Sequence, residues 1–319
     1  MEQAGMSTQR ITDPSISATI TTLMPSDIKI LACFGDSLLS GLTLTAKPKS
    51  MKNLVLNSMA RNGIPVIFPW LISAEHRHNN CITGGSNSLI SVGRLLRCFS
   101  EKLTLDTHST RLFSTGEGFN FAMSGSSIEH LKRQVLRFVK KLERTEFASM
   151  HTEWKLIFVW IGANDVATKT MQQISRSFES KLVASIKILK AKVSKAFVYI
   201  MTLPNINAIP KYTNAFTAEI REKTELVNKI IHRVVSEYNW NDEAHFRVAL
   251  QPIPQDIAPA EDMSNYLSHI DMIHPNLFTQ QLFAKCIWNN LFAPDGSKVL
   301  NTETIMSSEW FNPGDTYFQ

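Results

Sequence analysis

Ser37 lies where an apolar run meets a polar turn. Residues 28–34 have the composition of a buried strand, and Gly-Asp-Ser-Leu follows directly at residues 35–38. A hydroxyl at such a junction is held at its base and open at its tip, which is the arrangement that a serine nucleophile requires. Because Gly, Asp and Ser are also common turn residues, the tetrapeptide alone is equally consistent with an ordinary turn.

A carboxylate and an imidazole stand three residues apart near the other end of the chain, at Asp271 and His274. Residues with this spacing in a tight turn point the same way, so the carboxylate can reach the ring. A carboxylate on one ring nitrogen selects the tautomer and leaves the other nitrogen to act as a base. Pro275 predicts that a helix begins at once. The alternatives are a capped helix start with a surface histidine, and His269 as the base.

Two further junctions between strand and turn carry groups that can stabilise negative charge. The strand-like run at 154–161 ends in Gly-Ala-Asn-Asp, which places the side-chain amide of Asn164 in a tight turn. The short run at 119–122 ends in Met-Ser-Gly-Ser, where Gly125 allows a backbone N–H to approach a substrate closely. Taken alone, each of these two segments is also consistent with an ordinary turn. Asp36 and Asp165 are expected to support their turns through hydrogen bonds.

In this order, the four blocks resemble those of the GDSL-lipase or SGNH-hydrolase superfamily. They are residues 35–38, Gly125, residues 162–165 and residues 271–274. The stretches at 82–86, 120–122, 287–291 and 294–298 are similar to the phospholipase B-like branch of that superfamily. The resemblance therefore extends from residue 28 to residue 298.

The resemblance implies acyl transfer from a carboxylic ester to water through an acyl-enzyme. It implies Ser37 as the nucleophile, His274 as the general base and Asp271 as the group that orients it. The oxyanion hole it implies consists of the Ser37 and Gly125 backbone N–H groups and the Asn164 side chain. The implied substrates are lipid esters such as phospholipids or lysophospholipids, met in some relatives at a membrane surface, and neither a cofactor nor a metal is needed.

Three alternatives stay open at this point. An acyltransferase uses the same Ser-His-Asp groups but passes the acyl group to an alcohol, and a catalytically inactive lipid-binding relative keeps only the fold. A metallophosphoesterase can be read into residues 35–36 and 164–165, but its Asp-x-His and Gly-Asn-His patterns are absent. Ester hydrolysis is favoured because all four blocks are complete.

The elements that must position these residues alternate between strand and helix. Strand-like runs occupy residues 28–34, 154–161, 196–203 and 246–252, and helical periodicity occupies 127–147, 178–193, 218–238 and 277–291. Such alternation predicts a parallel sheet with helices on both faces, and ligands bind beyond the carboxyl ends of its strands. With the resemblance, the expected fold is α/β: a three-layer α/β/α, flavodoxin-like arrangement around a central, mostly parallel sheet.

The composition agrees with a globular enzyme. With 319 residues, 44% hydrophobic and 19% charged, the chain can bury a large core in one domain. The net charge of +5 includes a basic helix at 132–144, which we interpret as a solvated face in preference to a contact with anionic lipid. Nucleic-acid binding has no supporting motif, because aromatic residues do not alternate with the basic ones. The oligomeric state is left open.

We predict a loosely ordered arm at residues 1–25, a hydrolase domain at 26–298 and a tail at 299–319. The arm lacks a signal-peptide pattern, and neither a membrane span nor an Asn-x-Ser/Thr acceptor occurs. These features lean against secretion of the chain as written, whereas phospholipase B-like relatives are commonly secreted or membrane-anchored, so the compartment stays open. The four cysteines are too scattered for a zinc site or a disulfide framework, and residues 76–81 are predicted to form a polar loop.

Overall fold

The computed structural model describes most of the chain. The residues it describes are 19–42, 44, 74–108, 110–111, 118–204, 214–241, 245–254, 263–268, 271, 273–294, 296–314 and 316–319.

A parallel sheet forms the centre of these residues. Its strands are β1 (Ile28–Gly35), β4 (Phe119–Asn120), β5 (Trp154–Trp160), β6 (Ala196–Met201) and β7 (Phe246–Gln251). They lie in the order β4-β1-β5-β6-β7, and every neighbouring pair is parallel. The side chains of β5 and β6 are buried along their whole length, as expected for strands covered on both faces. A separate antiparallel pair is formed by β2 (Ala74–Glu75) and β3 (Thr110–Arg111).

Helices follow most of the strands. They are α1 (Ser37–Ser40), α2 (Val92–Arg97), α3 (Ile128–Leu142), α4 (Ala163–Thr168), α5 (Met171–Lys192), α6 (Asn214–Glu237), α7 (Met263–Tyr266), α8 (Leu277–Asn290) and α9 (Thr302–Ser307). Among the described residues, no helix combines the length and the apolar character that crossing a bilayer requires.

The helices form a layer on each face of the sheet. Successive strand residues point to opposite faces, and Phe34 of β1 contacts Phe138 of α3 with ring centroids 5.5 Å apart. On the other face, Trp160 of β5 contacts Phe283 of α8 at 5.2 Å. Helices α3, α5 and α6 pack side by side, and α2 packs against α8. The predicted three-layer α/β/α fold with a parallel central sheet is therefore confirmed.

The carboxyl-terminal residues lie against the sheet. Phe318 is buried and stacks on Phe292, with ring centroids 5.3 Å apart, and its ring edge approaches Phe197 of β6. The Tyr199 hydroxyl donates a hydrogen bond to the Gln319 backbone carbonyl at 2.7 Å. The predicted division of the chain into arm, domain and tail stays a prediction, and residues 1–18 of the arm lie outside the described residues.

Candidate active site

Three side chains from distant parts of the sequence form one continuous chain of hydrogen bonds. Ser37 begins α1 directly after β1, and its Oγ lies 2.7 Å from Nε2 of His274. Nδ1 of the same ring lies 2.6 Å from Oδ2 of Asp271. Ser37 is buried, with 7% of the residue exposed, so its side chain is held by its surroundings. The structure thus brings together the three residues predicted to act as nucleophile, base and orienting carboxylate.

The Asp271 carboxylate is held by the turn in which it lies. Its Oδ1 accepts the backbone N–H groups of Ile273 at 2.9 Å and His274 at 3.0 Å, which leaves Oδ2 for the imidazole. The spacing of three residues therefore places the ring and the carboxylate on one side, as the sequence predicted. The His274 carbonyl accepts the Ser268 N–H at 2.7 Å, which fixes the turn from outside.

The helix after the histidine begins later than the proline suggested. Helix α8 begins at Leu277, and the Asn276 side chain caps it by accepting the Thr279 N–H at 3.0 Å. Pro275 instead lies in a short antiparallel bridge with Leu267. Pro275 is therefore not part of the helix, which begins at Leu277 where the periodicity predicted it, because the Asn276 side chain caps the first turn. His274 consequently lies in a loop that is held by hydrogen bonds to Asp271 and Ser268.

The contact between His274 and Asp271 determines the charge that each of these side chains carries. Burial alone would lower the pKa of His274 and raise that of Asp271, because both charged forms lose solvation. The mutual attraction and the hydrogen bond between them outweigh burial, so the pKa of His274 is raised and that of Asp271 is lowered. The carboxylate therefore stabilises the imidazolium that forms when the ring takes a proton.

Asp36, directly before the serine, organises the start of α1. Its Oδ1 accepts the Leu38 N–H at 3.1 Å, and its carbonyl accepts the N–H groups of Leu39 and Ser40. It is fully buried, and burial raises its pKa to about 7. The expectation that Asp36 supports its turn agrees with these contacts, and its charge also raises the pKa of His274.

Gly125 lies in a tight turn whose ends are hydrogen-bonded to each other. The Ser126 N–H donates to the Met123 carbonyl at 3.1 Å, and Gly125 adopts φ +76°, a conformation that favours glycine. A Cβ at this position would meet open space, so the backbone faces an accessible region. We call Met123, Ser124, Gly125 and Ser126 the Gly125 turn.

The Gly125 turn is tied to the strand and helix that carry Ser37. The Met123 N–H donates to the Gly35 carbonyl at 3.1 Å, and the Ser124 and Ser40 hydroxyl oxygens lie 2.8 Å apart. Gln134 of α3 bonds both backbone groups of Gly35 at 2.8 Å and donates to the Ser126 hydroxyl at 3.2 Å. Gly35 must lack a side chain, because a Cβ there would lie 2.1 Å from a backbone oxygen of β5.

Asn164 lies against the same turn. Its side-chain N–H donates to the Ser126 carbonyl at 2.9 Å, which leaves its second amide hydrogen for another acceptor. The tight turn expected here is the first turn of helix α4, which begins where Gly162 reverses the chain at φ +130°. The neighbouring Asp165 accepts the Ile128 N–H at 2.8 Å and forms an ion pair with Lys169, so it supports this junction as expected.

Two backbone N–H groups beside Ser37 have no acceptor among the described residues. The three amides after Ser37 all bond to Asp36, whereas the Ser37 N–H bonds to none of the described groups. The same is true of the Gly125 N–H. With the second hydrogen of the Asn164 amide, they are N–H donors of the kind that can stabilise negative charge on an oxygen.

The sequence did not identify every residue that shapes this site. Gln134 was missed, although a polar residue on the apolar stripe of α3, between Leu131 and Phe138, was a usable signal. Arg77 was also missed, because residues 76–81 were interpreted as a polar loop, and Glu75 directly before them was not singled out. His269, the competing base, lies outside the described residues.

Comparison with known proteins places this site in context. The model of the family described as GDSL-like Lipase/Acylhydrolase matches residues 31–287. The membrane-associated phospholipase B1 of Homo sapiens is 24% identical over 90% of this chain, and that of Rattus norvegicus is 22% identical over 90%. This chain covers 21% of each of those proteins, so it spans about a fifth of their length.

Solved structures of similar proteins are more distant. A protein described as a GDSL-like lipase, from Parabacteroides merdae, is 15% identical, with a TM-score of 0.43 over 84% of this chain and 95% of that one. Phospholipase A1 from Streptomyces albidoflavus is 13% identical, with a TM-score of 0.40 over 79% of this chain and 94% of that one.

Proposed function

Because the chain belongs to the GDSL-like lipase/acylhydrolase family, whose members are carboxylic-ester hydrolases, we propose that it hydrolyses carboxylic esters of lipids with Ser37 as its nucleophile. The observation that carries the proposal is the unbroken path from the Ser37 hydroxyl through the His274 ring to the Asp271 carboxylate. Hydroxyl, imidazole and carboxylate in hydrogen-bond contact are the groups that activate a serine for attack.

In the first half of the reaction, Ser37 Oγ attacks the ester carbonyl while Nε2 of His274 takes its proton. The oxyanion accepts hydrogen bonds from the Ser37 and Gly125 N–H groups and from the Asn164 side chain. His274 then gives the proton to the leaving alcohol oxygen as the C–O bond breaks, and the acyl group stays on Ser37.

In the second half, water replaces the alcohol. His274 removes a proton from the water as its oxygen attacks the acyl carbonyl, and the same three donors hold the oxyanion. The proton then returns to Ser37 Oγ as the acyl-enzyme bond breaks and the carboxylic acid leaves. Asp271 keeps the ring in the required tautomer throughout and stays ionised.

Replacement of Asn164 by alanine is expected to reduce kcat by about 10²- to 10³-fold with KM nearly unchanged, because one oxyanion donor is lost. The measurement is the steady-state hydrolysis of a soluble 4-nitrophenyl ester. A matched control is Asn290→Ala, which removes a buried asparagine that bonds both backbone groups of Val299 away from the site. An unchanged kcat in folded Asn164→Ala would remove Asn164 from the oxyanion hole.

The lipid substrate is proposed because the curated relatives are named phospholipase B1. The test is to incubate the protein with lysophosphatidylcholine and with diacylphosphatidylcholine, and to quantify released fatty acid with Ser37→Ala as the blank. We expect fatty acid from at least one of them. A parallel reaction with added long-chain alcohol tests acyl transfer: an ester product in place of fatty acid would make the protein an acyltransferase.

A further inference from the structure

Glu75 and Arg77 form an ion pair that is fully buried beside the Gly125 turn. Both side chains are 0% exposed, and Nη2 of Arg77 lies 2.5 Å from Oε2 of Glu75. The predicted polar loop at residues 76–81 thus contains a buried guanidinium, and the mechanism proposed above does not use it.

Arg77 binds the segment that leads into the Gly125 turn. Its Nη1 donates to the Ala122 carbonyl at 2.6 Å and to the side-chain oxygen of Asn120 at 3.1 Å. Its Nε donates to the Thr110 hydroxyl at 3.0 Å. Because the guanidinium is planar, these bonds fix the direction in which the chain leaves β4.

Glu75 binds the turn itself. Its Oε1 accepts the N–H of Ser124, the residue before Gly125, at 2.7 Å, while its other oxygen holds Arg77. The segment that carries the pair also contacts the end of α1, because the His76 N–H donates to the Gly41 carbonyl at 2.9 Å. The segment 75–77 therefore connects the end of the helix that begins at Ser37 with the turn that carries the Gly125 amide.

Stability alone is a weak reason for such a pair. Removing two charges from water is costly, and apolar residues of similar volume often give equal or greater stability. A charged pair with its hydrogen-bonding groups directed at several backbone atoms does something that apolar residues cannot: it sets the orientation of those atoms. Here the atoms lie one and three residues before the Gly125 amide.

We propose that Glu75 and Arg77 are positioning residues, which hold the Gly125 N–H where the oxyanion forms in the ester hydrolysis proposed above. The pair contacts no reacting atom and acts only through the Gly125 turn. The inference rests on the proposed function, because it concerns a donor of that reaction.

A double-mutant cycle tests the proposal. Glu75→Gln places an N–H group against the N–H donor of either Ser124 or Arg77. We expect kcat to fall about 10- to 100-fold with KM within about twofold of the wild-type value. The fall in kcat is smaller than for a lost oxyanion donor, because the Gly125 N–H is displaced and not removed. Gly125→Ala disturbs the φ +76° conformation and displaces the amide directly. When Glu75→Gln is added to Gly125→Ala, kcat is expected to fall by less than about threefold further, because both changes act on the Gly125 N–H.

The control is Lys155→Met. Lys155 is buried at the amino ends of the strands, where its ammonium donates to the carbonyls of His151, Glu153 and Ser194. This variant is expected to lose stability while its kcat per folded molecule stays within about twofold. If Glu75→Gln does not fold, Arg77→Lys takes its place in the cycle. Lysine keeps a positive charge beside Glu75 but lacks the planar guanidinium group with its several N–H donors.

The outcomes separate this inference from the proposed function. Additive losses in the cycle, or an unchanged kcat in a folded Glu75 variant, would overturn the positioning role while wild-type hydrolysis at Ser37 stands. Absence of hydrolysis by the folded wild-type protein would instead overturn the proposed function itself. The positioning role is supported if Glu75→Gln lowers kcat in the wild-type protein but has little further effect in the Gly125→Ala variant.

Discussion

Replacement of Ser37 by alanine is expected to reduce ester hydrolysis by at least about 10⁴-fold, because no other group takes over the formation of the acyl-enzyme. The Oγ atom is the one that His274 contacts at 2.7 Å, and alanine removes only that atom. The fold is expected to be retained, since the bonds that hold the start of α1 run through Asp36 and the backbone. The measurement is the initial rate with a 4-nitrophenyl ester, normalised to folded protein by circular dichroism.

A serine of comparable burial supplies the control for this experiment. Ser185 of α5 is 1% exposed, and its hydroxyl donates to the Lys181 carbonyl within the same helix. Ser185→Ala is expected to keep the wild-type rate within about twofold. If Ser37→Ala kept more than a tenth of the wild-type rate, a different nucleophile would have to be sought.

Replacement of Asp271 by asparagine is expected to reduce kcat/KM by about 10⁴-fold, because an asparagine amide favours the wrong tautomer of the His274 ring. The backbone bonds to Ile273 and His274 can still be accepted by the amide oxygen, so the turn is expected to persist. The loss then reports on the protonation and orientation of the ring. Steady-state kinetics with the same ester measure it.

The same variant is expected to change the pH dependence in a defined direction. Only the neutral His274 ring can accept the serine proton, so activity falls as the pH drops below its pKa. Asp271 outweighs burial and raises that pKa above its ordinary value of 6.5, so the acidic limb of wild-type kcat/KM is expected above pH 6.5. Without the carboxylate charge, burial dominates and the limb is expected to move to lower pH.

A carboxylate elsewhere in the fold provides the comparison for Asp271. Asp27 accepts the Met24 N–H at 2.9 Å just before β1, at the end of the sheet opposite the site. Asp27→Asn is expected to leave both the rate and the acidic limb in place. An acidic limb that stays at the wild-type pH in Asp271→Asn would show that another group controls the charge of the ring.

The sequence predicted the elements that have long and regular patterns. Strand β6 was predicted at residues 196–203 and lies at Ala196–Met201, and α8 was predicted at 277–291 and lies at Leu277–Asn290. Burial on both faces makes such strands continuously apolar, and one buried face gives such helices a visible stripe. The short helix α4 was predicted as a turn, because six residues contain too little of a helical period.

The sequence also predicted which groups meet at the site but not what holds them there. Ser37, Asp271 and His274 were recognisable because each lies in a short motif at the end of an element. The bonds of Gln134 to Gly35 and of Glu75 to Ser124 join residues that are 99 and 49 positions apart. The position of Gln134 on an apolar stripe signals that it is buried, but nothing in the local sequence identifies the distant partner of either contact.

The central claim is that Ser37 is a nucleophile activated by His274, and labelling with a fluorophosphonate probe tests it without assuming a substrate. The folded protein is treated with the probe, and the modified peptide is mapped by mass spectrometry in wild type, His274→Ala and His269→Ala. We predict an adduct on Ser37 in wild type and in His269→Ala, and its loss in His274→Ala. An adduct on another residue, or none on the folded wild-type protein, would contradict the account.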